Sequence, residues 1–332
     1  MQNTSITVSA PCKVHLLGEH SVVYGKPALL TTVDLRITAT VIARNKGGPS
    51  KRDKQSRLVK NPNQIASLIA RNDEIKKVIE PIVKKHLKLK KLPSYQIEIK
   101  SEAPIGAGLG SSAAISATYI TAFLSFLKVK WDLNLINELT YEAEKVFHGN
   151  PSGADNSTIV YGGLVWYRKE SPDLKIIHPL PFSIPYKLSK NFVLINTGTP
   201  KLTTKKMITQ ITADFEKNPT LKDQFLNSQE KLTRELLTAI KKANEKEIIR
   251  IIREGERNLE LIGVCSKEVA SIIRNIEKSG GAAKICGAGA DSGPTGVLLC
   301  YHKNPQILEE IAKSNNLVYF KVKLGVKGLR KE

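Results

Sequence analysis

The feature that most constrains this chain is a glycine-rich segment that leads directly into an apolar helix. Residues 104–113 read PIGAGLGSSA, with glycine at every second position from Gly106 to Gly110. The small and apolar residues that follow predict a helix from about Ser112 to Leu127. Backbone without side chains approaches a ligand closely, and the free N–H groups and dipole at a helix start attract an anion. The segment therefore favours a phosphate-binding loop over a flexible turn.

The spacing of this segment differs from two common nucleotide-binding patterns. It is not a Walker A loop, because no Gly-Lys-Ser/Thr follows, and it is not GxGxxG, because Ser111 stands where the third glycine would be. The sequence also lacks the GxSxG elbow of serine hydrolases and the HRD and DFG motifs of protein kinases. Neither a serine-hydrolase triad nor a protein-kinase site is therefore expected.

The order of predicted elements indicates the fold class. The 332 residues are enough for one large domain or two closely packed ones. Strands are predicted at 6–14, 28–44, 95–100, 162–166, 192–196, 297–301 and 318–322. Helices are predicted at 63–89, 112–127, from 132 to the Gly149–Pro151 stop, at several places within 203–261, at 267–278 and at 305–314. Strands and helices mix without strict βαβ alternation, so the expected class is α+β.

The formal charge of +20 raises the question of nucleic-acid binding. The excess is mostly lysine, and in 74–91 and 231–257 it alternates with glutamate, which is typical of solvated helix faces. No basic groove with interleaved aromatic residues is recognisable. Nucleic acid is therefore not an expected partner, and the surplus charge is interpreted as a means of attracting anionic substrates.

Cysteine usage and the hydropathy pattern indicate the compartment. Cys12, Cys265, Cys286 and Cys300 are scattered without a CxxC pair, which favours reduced thiols over disulfides or a zinc site. Residues 1–10 lack the pattern of a signal peptide, and no segment has the length and hydropathy of a membrane span. We expect a cytoplasmic protein with no membrane partner.

A second candidate segment carries two carboxylates. Residues 144–156 read EKVFHGNPSGADN. Glu144 falls near the end of a predicted helix, where a carboxylate opposes the helix dipole, whereas Asp155 follows a turn and precedes a helix start. Two carboxylates beside a turn suit magnesium and a hydroxyl-activating base. On this segment alone, a solvated glutamate and a helix cap remain the simpler interpretation.

The first predicted strand contains a lysine, Lys13, among apolar residues. A buried ammonium group is costly unless it is paired, so a carboxylate partner is expected. His15 and His20 follow shortly afterwards, and without an HExxH motif we expect neutral, hydrogen-bonding roles for them rather than metal ligation.

Taken in order, these segments resemble the GHMP small-molecule kinases. The similarity rests on residues 11–25 (PCKVHLLGEHSVVYG), 106–112, 144–156 and 284–289 (KICGAG), which together span nearly the whole chain. Within the family, GEHSVVYG and HGNPSGADN look most like the members that phosphorylate mevalonate. The resemblance implies a two-lobed α+β fold with the active site in the cleft between the lobes. It further implies an N-terminal ATP-binding domain at 1–180, a C-terminal domain at 181–332 and a homodimer.

The resemblance also implies a role for each site residue, with ATP, Mg2+ and mevalonate as ligands. Asp155 would accept the proton of the substrate hydroxyl, and Lys13 would pair with it and stabilise the transferring phosphoryl group. Ser112 and Glu144 would hold magnesium. The ATP phosphates would be bound by Pro104, Ile105, Gly106, Ala107, Gly108, Leu109, Gly110, Ser111 and Ser112. Mevalonate would be contacted by Glu19, His20, Gly153, Asp155, Thr203, Gly287 and Ala288.

Two departures from the family pattern leave alternatives open. Residues 290–295 read ADSGPT where the family is richer in glycine, so Asp291 and Pro294 are expected to alter the site. Residues 46–57 are irregular where the family covers the nucleotide. Alternatives within the family are kinases acting on phosphomevalonate, on the 3-hydroxyl of mevalonate, on homoserine or on galactose, and the related decarboxylase. Outside catalysis, the alternative is a silent sensor with the same fold.

Overall fold

The computed structural model describes residues 5–43, 62–201, 204–287 and 289–332. The strands are β1 Ser5–Leu17, β2 Ala28–Ala43, β3 Tyr95–Ser101, β4 Leu164–Lys169, β5 Lys175–Pro179, β6 Phe192–Asn196, β7 Ala282–Ile285, β8 Val297–Tyr301, β9 Val318–Lys321 and β10 Arg330–Lys331. The helices are α1 Pro62–Leu87, α2 Ser111–Phe126, α3 Leu133–His148, α4 Ala154–Tyr161, α5 Tyr186–Ser189, α6 Thr204–Lys217, α7 Pro219–Lys241, α8 Glu245–Leu261, α9 Lys267–Lys278 and α10 Pro305–Ser314. A short 3₁₀ helix, Ser21–Tyr24, follows β1.

The first sheet has six strands in the order β10-β1-β2-β4-β5, and β3 pairs with a further part of β2. Every residue of β1 from Val8 onward is buried, which places Lys13 inside the protein. The α2 helix packs on β1 and β2. It is apolar all round and buried from Ala113 to Leu124, as expected for a helix covered on every side.

The second sheet has four strands in the order β7-β8-β6-β9, all antiparallel. Helices α8 and α9 pack on β7. The last strand of the chain, β10, returns to the first sheet, where Arg330 pairs with Ser9. The α+β prediction is therefore confirmed: two separate sheets share the chain with ten helices among the described residues. None of these helices combines the length and the hydropathy needed to cross a membrane.

The glycine-rich segment lies between the two sheets and is bonded to both. The backbone N–H of Lys13 in β1 donates to the carbonyl of Leu109 at 3.0 Å, and the N–H of Val297 in β8 donates to the carbonyl of Ala107 at 3.0 Å. The side chains of Ala107 and Leu109 are buried in the core. This anchoring fixes the loop at the junction of the sheets, with its glycines on the open side.

Several predicted boundaries differ from the structure for local reasons. The strand predicted at 162–166 begins at Leu164 and continues to Lys169, because Gly162 and Gly163 have φ values of 79° and 73° that end the preceding helix. Strand β7 lies inside the second glycine-rich segment, where no strand was predicted, and β5 was also missed. The segment 46–57, predicted to be irregular, lies outside the described residues.

Candidate active site

A cavity of about 190 Å³ opens at the junction of the sheets. From the N-terminal half of the chain, its wall is formed by β1, the residues that follow β1, the glycine-rich loop and the end of α3 with the turn into α4. From the C-terminal half, α6 and Gly287 contribute. Predicted site residues that line it are Lys13, Glu19, His20, Gly106, Gly108, Gly110, Ser111, Ser112, Glu144, Gly153, Asp155 and Gly287. Pro104, Ile105, Ala107 and Leu109 are not among the lining residues, and Thr203 and Ala288 lie outside the described residues.

Lys13 and Asp155 form an ion pair in this cavity. Lys13 Nζ lies 3.0 Å from Asp155 Oδ1, and the lysine side chain is 2% exposed whereas the aspartate is 34% exposed. Lys13 Nζ also lies 3.0 Å from His15 Nδ1. Burial, followed by the charges of Lys13 and Lys284, lowers the pKa of His15 well below its usual value, so this ring is neutral. The pair joins a fixed, buried cation to a carboxylate that solvent and ligands can reach.

The position of Asp155 follows from the turn before α4. Gly153 caps that helix with φ 94°, and an added Cβ there would lie 2.8 Å from Tyr167 Oη. Glycine is therefore needed both for the left-handed backbone and for the close packing. Asp155 then falls in the first turn of α4, where the helix dipole favours a negative charge.

The glycine loop leaves space beside Lys13. Gly106, Gly108 and Gly110 all have positive φ, at 78°, 90° and 70°. A Cβ on Gly110 would lie 3.0 Å from Cγ and Cε of Lys13. Helix α2 begins at Ser111, so the N–H groups of its first turn, which have no partner within the helix, lie at this edge of the cavity. These features together fit an anionic group such as a phosphate.

Ser112, at the start of α2 beside the loop, comes together with Glu144 and His148 in the wall of the cavity. Ser112 Oγ donates to Glu144 Oε2 at 3.3 Å and lies 3.2 Å from His148 Nε2. Glu144 is 3% exposed, and its Oε1 is buried without a hydrogen-bond partner among the described residues. Burial, with the charge of Asp155 as a smaller cause, raises the pKa of Glu144 to about 8. A buried carboxylate with an unpartnered oxygen beside a hydroxyl fits a hard divalent cation such as Mg2+.

Glu19 and His20 occupy the inner end of the cavity. Glu19 is 1% exposed and accepts a hydrogen bond from Lys284 Nζ, which is fully buried on β7. His20 has φ 59° and ψ −42°, an uncommon backbone conformation for a residue other than glycine. Burial, followed by the charge of Lys284, lowers the pKa of His20 to about 4. Both side chains are therefore held in place by burial, with the imidazole neutral.

Residues 290–295, expected to alter the site, lie away from the cavity. They are absent from its lining. Instead the segment folds back on its neighbours: the N–H of Ala290 donates to the carbonyl of Val264 at 2.8 Å, and Pro294 packs on Gly198. Asp291 is exposed and accepts a hydrogen bond from Ser292. Since the carboxylate of Asp291 faces solvent, the described structure gives it no contact with the cavity.

Comparison with known proteins agrees with this arrangement. Residues 73–163, which contain the glycine loop, Glu144 and Asp155, match the family model described as the GHMP kinases N terminal domain. The chain is 28% identical to the mevalonate kinase of Thermococcus sibiricus over 301 residues, covering 86% of each chain. Residues 73–163 therefore form a GHMP kinase domain. The fold of the chain matches the crystal structure of L. major mevalonate kinase in complex with R-mevalonate, with a TM-score of 0.75, 18% identity and 96% coverage of each chain.

The GHMP fold does not itself identify the phosphate acceptor. The structure of Lactococcus lactis galactokinase complexed with galactose matches this chain with a TM-score of 0.73 at 14% identity, over 99% of this chain and 95% of that one. Two kinases whose structures hold different bound molecules therefore match the same backbone about equally well. The acceptor must be decided by the side chains in the cavity.

The cavity also contains residues for which no role was predicted. His148 stands in the HGNPSGADN segment, and its proximity to Ser112 was not foreseen. Lys284 stands in the third motif, and its pairing with Glu19 was also not foreseen. Ile208 on α6 lines the cavity from the C-terminal half of the chain. The position of Lys284, a basic residue before a glycine-rich turn, could have indicated a role in the site. Ile208 lies in no motif, so its place in the cavity could not be predicted.

Proposed function

We propose that this GHMP kinase transfers the γ-phosphoryl group of ATP to the primary 5-hydroxyl of mevalonate, giving 5-phosphomevalonate and ADP. The observation that carries the proposal is the 3.0 Å pair of Lys13 and Asp155 in a cavity bordered by the glycine loop. Two similarities support mevalonate as the acceptor. The chain is similar to the mevalonate kinase of Thermococcus sibiricus, and residues 148–156 resemble the same segment of GHMP kinases that phosphorylate mevalonate.

In this reaction the carboxylate of Asp155 orients the acceptor hydroxyl and takes its proton as the new phosphorus–oxygen bond forms and the bond to ADP breaks. Phosphoryl transfer depends mainly on positioning and charge neutralisation, so a weak base is sufficient. Lys13 stabilises the charge of Asp155 before transfer and the charge on the phosphoryl oxygens during it. Because the lysine is buried at 2% exposure, water screens neither interaction effectively.

The remaining residues bind and orient the reactants. The backbone of residues 104–112 would hold the ATP phosphates, and Ser112 with Glu144 would hold Mg2+, which neutralises phosphate charge when bound. Mevalonate would contact Glu19, His20, Gly153, Asp155 and Gly287, all of which line the cavity. Thr203 and Ala288 stay predictions for the same substrate. The two-lobe division at residues 180 and 181 is likewise part of the proposal.

The test is an acceptor panel with Mg2+ and ATP. ADP release is measured with mevalonate, phosphomevalonate, homoserine and galactose, and the product is located by 31P NMR. We expect turnover with mevalonate and a phosphomonoester on its 5-oxygen. Turnover with phosphomevalonate or a sugar but not mevalonate would overturn the acceptor, and a product carrying phosphate on the 3-oxygen would overturn the position. ATP binding without turnover of any acceptor would favour a sensor.

A further inference from the structure

His148 completes a triangle of candidate metal ligands with Ser112 and Glu144. Ser112 Oγ lies 3.3 Å from Glu144 Oε2 and 3.2 Å from His148 Nε2. His148 Nε2 lies 3.6 Å from Glu144 Oε2. All three residues line the cavity. The histidine occurs one turn after Glu144 on α3, so helix geometry places both side chains on the same face.

The spacing of these atoms fits one face of an octahedral site. Ligands that lie about 2.1 Å from a six-coordinate cation and are adjacent to each other are about 3.0 Å apart. The observed separations of 3.2, 3.3 and 3.6 Å exceed this value by about 0.2 to 0.6 Å, so an inward movement of the side chains on binding a cation would bring the three atoms to it. Glu144 Oε1, buried without a partner, shows that the carboxylate has bonding capacity that the protein alone does not satisfy.

We propose that His148 Nε2 is a third protein ligand of the divalent cation, beside Ser112 Oγ and Glu144 Oε2. The inference rests on the proposed phosphotransfer, in which a cation is bound at this wall. Three positions are then left for phosphate oxygens and water. An imidazole ligand also widens the range of cations, because nitrogen suits Mn2+, Co2+ and Zn2+ better than it suits Mg2+.

The state of His148 supports ligation over a purely structural role. Its side chain is 40% exposed, in contrast to 4% for Glu144, so the ring is not locked into the core. The residue lines the cavity, so its ring is accessible to a bound cation. A histidine that only caps α3 would have no need to approach Ser112 and Glu144 together.

The experiment uses Mn2+ alone as the probe, so that no adenine nitrogen contributes. Pulsed electron paramagnetic resonance is recorded on the full chain, and modulation from a directly bound imidazole nitrogen is the readout. His148→Gln is compared with His178→Gln, which removes an exposed histidine on β5. Because His15 and His20 also line the cavity, a wild-type sample labelled with 15N-histidine shows that the coupled nitrogen belongs to a histidine, and His148→Gln, with its fold checked by circular dichroism, shows which one.

We expect nitrogen modulation in the wild type and in His178→Gln, a change of its pattern on 15N labelling, and its loss in His148→Gln. Binding of Mn2+ to His148→Gln should weaken at least about tenfold, and more than binding of Mg2+. Absence of nitrogen modulation in the wild type, or its persistence in His148→Gln, would overturn the inference. Neither readout involves an acceptor, so mevalonate turnover without nitrogen coupling would overturn this inference alone, and coupling without turnover would overturn only the proposed function.

Discussion

Lys284 and Glu19 form an ion pair that joins the two sheets beside the cavity. Lys284 belongs to β7 of the second sheet, and Glu19 follows β1 of the first; both side chains are almost completely buried. Lys284 Nζ also donates to the carbonyls of Ile285 at 2.8 Å and His15 at 3.3 Å. These bonds satisfy the ammonium group, so the pair is a buried link between two sheets.

Removing one partner of this pair should destabilise the protein strongly. Lys284→Met leaves the Glu19 carboxylate buried without its counter-charge, which costs about 3–5 kcal/mol. The double variant Glu19→Met/Lys284→Met should recover much of that loss, because no unpaired charge remains. Urea denaturation of the two single variants and the double variant measures the coupling. Lys303→Met, at an exposed pair with Glu245, serves as the control and should cost at most about 1 kcal/mol. Equal losses in the single and double variants would refute a dominant role for the pairing.

Substitution of Asp155 should impair turnover much more than nucleotide binding. Asp155→Asn keeps the size of the side chain but removes the proton acceptor and the charge opposite Lys13, so kcat should fall by about 10²–10⁴-fold. Steady-state kinetics with mevalonate and a separate measurement of ATP affinity distinguish the two effects. Asp173→Asn, at an exposed position, is the matched control. Near-normal turnover of Asp155→Asn with ATP binding intact would show that the aspartate does not have the proposed role.

Substitution of Gly110 in the glycine loop should have two effects, a steric contact with Lys13 and strain in the left-handed backbone, and a comparison with Gly293 separates them. Gly110 and Gly293 have similar φ values, 70° and 68°, but a Cβ on Gly110 meets Lys13 at 3.0 Å whereas a Cβ on Gly293 meets nothing within 4 Å. Alanine at either position should cost about 1–2 kcal/mol of stability through the left-handed backbone. Only Gly110→Ala should also reduce kcat/KM, because it displaces Lys13, for which a role in phosphoryl transfer is proposed. Similar activity losses in both variants would indicate strain alone.

Glu256 should make stability depend on pH. This side chain is fully buried, accepts a hydrogen bond from the N–H of Ile285, and has its pKa raised by burial from 4.5 to about 8. Between these values the folded protein keeps the proton that the unfolded chain has lost. The stabilisation is therefore complete below about pH 4.5 and is lost as pH rises to about 8, with a slope of at most about 1.4 kcal/mol per unit.

Denaturation of the wild type and Glu256→Gln between pH 5 and 8 tests this sign. The glutamine variant lacks the titrating group, so the wild type should lose stability relative to it as pH rises. Glu310→Gln removes a carboxylate at an exposed position of α10. Its effect on the free energy of unfolding at each pH is the control for losing a carboxylate that is not buried. A stability difference between the wild type and Glu256→Gln that does not change with pH would contradict the prediction.

The sequence predicted the elements that depend on local signals. The helix after the glycine loop, the α3 helix with its Asp132 cap and the strand at 192–196 are close to their predicted bounds, because periodicity and capping are properties of short segments. The need of Lys13 for a carboxylate partner also followed from its apolar strand. The family resemblance, rather than the spacing, selected Asp155 as that partner.

The parts that were missed depend on contacts between distant segments. Strand β7 is only four residues long and lies among glycines, so its pairing with β8 determines its conformation more than its own propensity does. The pairing of Lys284 with Glu19 joins residues 265 positions apart. Asp291 was expected near the cavity, but hydrogen bonds from its neighbours to Val264 and Thr197 hold that segment elsewhere. Such contacts leave no periodic mark in a single sequence.

The return of β10 to the first sheet has a consequence for synthesis on the ribosome. Ser9 and Val8 of β1 pair with Arg330 and Lys331, and the N–H of Glu332 donates to the carbonyl of Thr7. The β1 strand thus acquires this neighbour only when residues 330 and 331 have been translated. Until then its edge presents unpaired N–H and carbonyl groups, which is a known template for aggregation. Nascent chains that stall before residue 330 should consequently depend on chaperones more than released chains do.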